Sequence, residues 1–231
     1  MAELHGRVIV VTGAGGALGS SVSSALERAG ARVARIDHAD PGTGGDLVFG
    51  GMDLTDEAAS RQAMSEIAAK SGRIGGLVNI AGGFVWRTLA DGSAADWERM
   101  FRINLLTAVS ASRAVLEHLG KPASIVNIGA VAATRAGAGM GAYAASKSGV
   151  ARLTESLAEE LAPASVRVNA LLPSVIDTPA NRRDLPKADF TTWVAPDDIA
   201  KVVVFLMSDD ASAISGASIP VTSPRAPSKP G

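Results

Sequence analysis

The chain repeats one pattern, a short run of β-branched and aliphatic residues followed by a longer stretch of helical period, and this alternation restricts the folds open to it. The runs are Arg7 to Val11, Ala31 to Ile36, Leu77 to Asn79, Ser124 to Ile128 and Val166 to Leu171. They carry too little polar alternation to leave one face wet, as expected where helices cover both sides of a parallel sheet. Helices are predicted over Ala17 to Ala29, Asp56 to Lys70, Asp96 to Leu119, Ala142 to Leu161 and Pro196 to Met207. Gly30, Gly72 and Gly120 stand where three of them would end. The 231 residues are enough for one large core. The expectation is therefore an α/β chain with a single-domain, doubly wound parallel sheet spanning residues 1 to 222. Between Pro173 and Trp193 the sequence turns rich in Pro, Asp, Asn and Arg, which predicts a surface lid over about 174 to 195. Residues 223 to 231, ending Ser-Pro-Arg-Ala-Pro-Ser-Lys-Pro-Gly, read as a loose tail.

Charge narrows the partner. The formal net charge is −1 and the basic residues are scattered, which argues against nucleic acid or an anionic membrane and in favour of a small molecule. No stretch of about twenty apolar residues runs unbroken, so no membrane span is expected. The absence of cysteine excludes disulfides and thiolate chemistry and is compatible with a cytoplasmic location. His5, His38 and His118 have no carboxylates at ligand spacing, so no metal is expected.

Gly13, Gly15, Gly16 and Gly19 follow the first run and open the first helix, where backbone N–H groups and the helix dipole can hold a pyrophosphate. Ala17 and Leu18 lie within the same turn. An ordinary glycine-rich turn would look similar, but a carboxylate, Asp37, closes the second run where it can accept from adenosine ribose hydroxyls and repel a 2′-phosphate. NAD is thus favoured over NADP, although Arg32, Arg35 and His38 lie close enough to turn toward a phosphate. Asp53-Leu54 is placed either to face the adenine or to cap the next helix. Asn79-Ile-Ala81-Gly82-Gly83 closes the run that begins at Leu77 with small residues over which a cofactor could lie.

Tyr143 is the only tyrosine, and Lys147 follows four residues later. That spacing places both on one helix face, where an ammonium can depress a phenol's pKa and make it a proton donor near neutrality.

Thr12-Gly13-x-x-x-Ala17-x-Gly19, Asn79-x-Ala81-Gly82, Asn104 and Tyr143-x-x-x-Lys147 occur in the order and spacing of the short-chain dehydrogenases/reductases, and the chain resembles that family over nearly its whole length. The resemblance implies a Rossmann fold, with Tyr143 as acid/base beside a nicotinamide. Lys147 would tune the phenol and hold the nicotinamide ribose, and Asn104 would hold a relay water. Pro173 to Thr178, including Ile176, would touch the carboxamide, with Ser174 in place of the usual glycine. A homodimer or homotetramer is implied as well. One departure is large: the family's carbonyl-polarising serine, thirteen residues before the tyrosine, is Ala130 here. Ser124 and Thr134 do not occupy its place. Loss of one such donor typically costs about 10²–10³ in rate. Within the family the chain resembles dihydropteridine reductase at Asn-Ile-Gly-Ala130, at Gly139-Met-Gly-Ala-Tyr143 and from Leu172 to Trp193. Three functions follow as alternatives: reduction of a conjugated or activated substrate such as a quinonoid dihydropterin, conventional ketone or 3-oxoacyl reduction, and dinucleotide binding with little catalysis. Trp86 and Trp193 are expected as structural tryptophans near the cofactor edge.

Overall fold

The structure, a computed structural model, describes residues 3–39 and 45–223. In chain order the elements are β1 Val8–Thr12, α1 Ala17–Arg28, β2 Arg32–Ile36, β3 Val48–Phe49, α2 Glu57–Ser71, β4 Ile74–Asn79 and α3 Ala94–Phe101. They continue as α4 Thr107–Val115, β5 Leu119–Ile128, α5 Gly141–Leu161, β6 Val166–Pro173, α6 Pro179–Asp184, α7 Pro196–Met207 and β7 Ser218–Val221. One sheet holds all seven strands in the order β3-β2-β1-β4-β5-β6-β7, and every pairing is parallel. The order reverses between β1 and β4, and in open sheets a crevice for ligands forms at such a switch point.

Within β1 the side chains sort by period two although none is polar before Thr12. Val8 and Val10 join Met64, Ile67, Ala111, Val115 and Leu157 on the face covered by α2, α4 and α5. Ile9 and Val11 join Val22, Leu26, Ile199, Val203 and Leu206 on the face covered by α1 and α7. Truncating a fully buried member such as Met64 or Ile199 to alanine removes about 2–5 kcal/mol. The doubly wound arrangement is as the sequence predicts.

Four elements differ from the sequence-based expectation. The helix predicted over Asp96 to Leu119 starts at Ala94, behind a capping box between Ser93 and Asp96 worth about 1 kcal/mol. A π-turn at Arg102–Leu106 interrupts it, and it ends at Val115 with a 3₁₀ turn to His118. Gly120 consequently ends no helix and lies in β5. The strand predicted from Leu77 begins at Ile74, and Gly75 and Gly76 within it are sites of close packing. A Cβ on Gly76 would stand 2.8 Å from Met207 Sδ and 2.9 Å from the Ser124 carbonyl. The edge strands β3 and β7 escape sequence detection because one has two residues and the other contains Pro220, which only an edge tolerates.

The segment from 174 to 195 is more ordered than its composition suggests. It contains α6, capped by Thr178, and a 3₁₀ turn at Phe190–Thr192. Asp177 accepts two bonds from Arg182 at 2.6 and 2.7 Å, and that guanidinium lies 4.7 Å from the centre of the Phe190 ring. Trp193 packs on Phe190, as expected of a structural tryptophan. The loose tail expected at 223–231 lies, but for Ser223, outside the described residues.

Candidate active site

A groove of about 1130 Å³ runs along the carboxyl ends of β1, β2, β4 and β5 and beneath α6. Gly13, Gly15, Gly16, Ala17, Leu18, Gly19, Asp37, Asp53, Leu54, Ala81, Gly82, Asn104, Tyr143, Lys147, Ile176 and Thr178 all line it, so sixteen of the eighteen residues singled out from the sequence meet there. Asn79 and Pro173 do not. Asn79 donates to Ser112 Oγ at 3.0 Å and Asn127 Oδ1 at 2.8 Å, which turns its amide between the sheet and α4 and makes its role that of a tie between strands. Pro173 ends β6 beside Val221 and supports the loop that carries Ile176.

The glycine end is built from backbone. Gly13 has φ +67°, and a Cβ there would meet Ala81 N at 2.8 Å. A Cβ on Gly19 would collide with the Gly13 carbonyl. No side chain caps the N-terminus of α1, so its first N–H groups remain for a ligand. Thr12 Oγ1 accepts from Ile80 N at 3.1 Å and Ala81 N at 3.3 Å, locking the end of β1 to the end of β4. Asp37 accepts from Gly15 N at 2.8 Å and from Ala39 N at 3.0 Å, which holds its carboxylate above the glycine turn. Of the three basic residues considered near it, only His38 lines the groove; Arg35 is paired with Glu27 at 2.7 Å. Asp53 accepts from Thr55 N and Oγ1, and these two bonds hold its carboxyl below the ordinary value. It does not cap α2, a task performed by Asp56. These features, close backbone approach at Gly13 and Gly19 and an uncapped helix end, fit a dinucleotide.

The other end is built from side chains on distant segments. Lys147 is buried and donates to the Ile128 carbonyl at 2.8 Å, and burial pulls its pKa down to about 8. Burial pushes the Tyr143 phenol up to about 12, opposite to the depression that its spacing from Lys147 suggested. The hydrogen bond that Lys147 makes is directed to the Ile128 carbonyl and not to the phenol. Phe84 meets the Tyr143 ring edge-on with centroids 4.9 Å apart.

Asn104 sits in the π-turn and is fully engaged. Its Oδ1 accepts from Gly83 N at 2.9 Å, while Nδ2 donates to Gly83 O and to Ser146 Oγ, each at 3.1 Å. Gly82 leaves the room this requires, because a Cβ there would collide with Asn104 Oδ1.

Ala130 follows β5 in extended conformation and is 6% exposed. No hydroxyl takes over its place from the two nearest candidates in sequence: Thr134 donates to the Val131 carbonyl and Ser124 to the Leu206 carbonyl. Trp86 is 53% exposed, and its Nε1 donates to Ala138 O at 3.0 Å. It is thus a loop clamp at the rim rather than the buried residue expected. Arg102, Phe84, Asn181 and Arg183 line the groove without having been singled out, since each lacks a motif that marks it. Arg102 donates to Thr55 Oγ1 at 2.9 Å. Among the described residues no group of histidines and carboxylates could hold a metal, and no helix is long and apolar enough to cross a membrane.

Sheet order and groove define a doubly wound α/β protein with a crevice at its switch point. A family profile described as enoyl-(acyl carrier protein) reductase matches residues 13–223. The 2-(S)-hydroxypropyl-CoM dehydrogenase 3 of Xanthobacter autotrophicus is 33% identical over 95% of this chain and 96% of that protein. Meso-2,3-butanediol dehydrogenase of Serratia marcescens is 33% identical over 93% and 92%. A short-chain dehydrogenase/reductase structure from Brucella melitensis superposes with TM-score 0.89 at 29% identity, covering 95% of this chain and 96% of that one. A 3-ketoacyl-(acyl-carrier-protein) reductase of the same organism, solved with NADH, gives TM-score 0.83 at 28% identity over 94% and 97%. The chain belongs to the short-chain dehydrogenase/reductase family and is an oxidoreductase. The narrower likeness to dihydropteridine reductase rests on Ala130, the segment before Tyr143 and the lid sequence alone.

Proposed function

We propose that the protein is an NAD(H)-dependent reductase of a small substrate whose acceptor atom needs no hydroxyl to polarise it, a conjugated system such as a quinonoid dihydropterin or an activated carbonyl. The observation that carries this reading is Ala130, with Thr134 and Ser124 bonded elsewhere, in a site that keeps Tyr143, Lys147 and Asn104. When bound, the nicotinamide supplies or accepts the hydride. The chain's own residues do the rest. Asp37, set over the Gly15 N–H, is placed to accept from ribose hydroxyls and to repel a 2′-phosphate, which supports NAD over NADP. The N–H groups opening α1 would hold the pyrophosphate, and Ile176 and Thr178 would flank the nicotinamide from the lid. Tyr143, with its phenol kept protonated by burial, is the proton donor for reduction. Lys147 would leave the Ile128 carbonyl for the phenol and the ribose, lowering the phenol's pKa in the loaded enzyme.

A conventional alcohol dehydrogenase or ketone reductase is the second reading. It is favoured by the names of relatives such as the cyclopentanol and butanediol dehydrogenases. The two separate in an assay of NADH and NADPH oxidation against enzymatically generated quinonoid dihydropterin and a panel of ketones, with Tyr143→Phe as control. The proposal expects the conjugated acceptor to be reduced faster and Tyr143→Phe to be inactive. Faster turnover of plain ketones or alcohols overturns it, and NADH binding without turnover on any acceptor moves the function to dinucleotide binding. We also place the protein in the cytoplasm as a homodimer or homotetramer. Trp97 and Phe101, one turn apart on α3, and Leu106 present apolar surface suited to a second copy.

A further inference from the structure

Asn104 is joined to the catalytic helix by a residue that the proposed mechanism does not use. Ser146 is 0% exposed. Its Oγ accepts from Asn104 Nδ2 at 3.1 Å and donates to the Tyr143 carbonyl at 2.7 Å. A serine bonding back to a carbonyl three residues earlier is ordinary in a helix. Here the same oxygen also receives a bond from another segment, and that segment is clamped by both polar atoms of its amide to the backbone of Gly83. The result is a continuous chain from Gly83, through the π-turn at Asn104, to the backbone of Tyr143. It links the segment after β4, the π-turn and α5.

We infer that Ser146 is a positioning residue that fixes the turn carrying Tyr143 relative to the Gly82–Gly83 edge of the groove. This inference rests on Tyr143 being the proton-transferring group. Asn104 has two Nδ2 hydrogens and two oxygen acceptors for them, Gly83 O and Ser146 Oγ. Removing the serine hydroxyl leaves one buried N–H with only Met100 Sδ, 3.7 Å away, as a weak alternative. The start of α5 then loses its tie to the π-turn, while Lys147 and Ser148 keep theirs to Ile128 and Ala133 and the glycine end of the groove, which Ser146 does not touch, keeps its geometry. Catalysis is sensitive to such a loss because small displacements of a reacting group carry large penalties.

The test compares Ser146→Ala, Ser146→Thr and the milder Ser146→Cys, each purified as the full chain, with Tyr143→Phe beside them. Because Tyr143 is the only tyrosine, isotope-labelled tyrosine gives a single NMR signal that reports its setting without any substrate. The inference expects Ser146→Ala to lower kcat by about tenfold, to leave the dissociation constant for NADH unchanged and to shift the tyrosine signal. Ser146→Thr, which keeps the hydroxyl, restores both. If Ser146→Ala does not fold, Ser146→Cys carries the same comparison with a weaker acceptor. A lowered thermal midpoint with kcat, its pH profile and the tyrosine signal all at wild-type values overturns the inference. Full activity in Tyr143→Phe removes the reading on which it rests; an inactive Tyr143→Phe beside a fully active Ser146→Ala removes only the role of Ser146.

Discussion

The two ends of the groove are built in opposite ways. At the glycine end, residues 13 to 37 supply nearly everything, and what they supply is backbone: a left-handed Gly13, an uncapped helix terminus and one carboxylate held by Gly15. At the Tyr143 end, side chains from β4, the π-turn, β5 and α5 interlock across long sequence separations. On the proposed function, the first kind of site holds the cofactor and the second moves a proton. Substitutions at the glycine end should therefore act on cofactor affinity, and those at the tyrosine end on kcat.

The strongest way to break this division is Tyr143→Phe. It should lower kcat by about 10³ or more with NADH affinity nearly unchanged, as removal of a positioned proton donor requires; parallel steady-state and binding measurements check both halves. Lys147→Met should cost about 10²-fold in kcat, and it adds a test of sign. The folded-state pKa of Lys147 is about 8 against an ordinary 10.5. Folding therefore expels a proton between those values, and burying the ammonium costs stability below pH 8, a cost that fades as pH rises toward 10.5. The methionine variant should then be more stable than wild type at pH 7, by about 1 kcal/mol after the Ile128 carbonyl loses its donor, and the difference should shrink at alkaline pH. Thermal melts at a series of pH values test this. Wild-type activity that needs the ammonium should fall as pH rises through about 8.

At the other end, Gly13→Ala places a methyl group against Ala81 N at a backbone angle that favours glycine. NADH should bind about tenfold more weakly, with kcat at saturation largely kept, since about 1.4 kcal/mol of lost contact is tenfold in affinity. The smallest effect expected is from Asp37→Ser. Removing the carboxylate should improve NADPH relative to NADH severalfold, on the order of 1 kcal/mol, read from the ratio of kcat/KM values.

The same contrast explains what was legible in the sequence. The glycine end could be read because its residues are local and each answers a backbone need; Gly13, Gly19 and Asp37 sit where spacing put them. Tyr143, Lys147 and Asn104 could be read as a set only through their resemblance to a family, since nothing local joins Asn104 to Tyr143. The structure supplies that join as Ser146, an ordinary helix serine in the sequence. The side to which Asn79 turns is not legible, because a polar residue at a strand end faces either the crevice or the helix layer, and only the packing of Ser112 and Asn127 decides. The upward push that burial gives the phenol is likewise not legible in spacing. Spacing puts Lys147 on the helix face of Tyr143, but the phenol's burial and the lysine's bond to the Ile128 carbonyl depend on the packed structure. The π-turn has no sequence signal of its own, and the clamp between Asn104 within it and Gly83 spans two segments distant in sequence.

The central claim is that Ala130 leaves the acceptor without a polarising hydroxyl because this enzyme's substrate does not need one. Ala130→Ser, assayed with NADH on an unactivated ketone and on quinonoid dihydropterin, tests it most directly. The account predicts a gain of about tenfold or more on the ketone, part of the about 10²–10³ that such a donor supplies, and no gain on the conjugated acceptor. A serine that leaves ketone reduction unchanged, or raises both substrates alike, would contradict it.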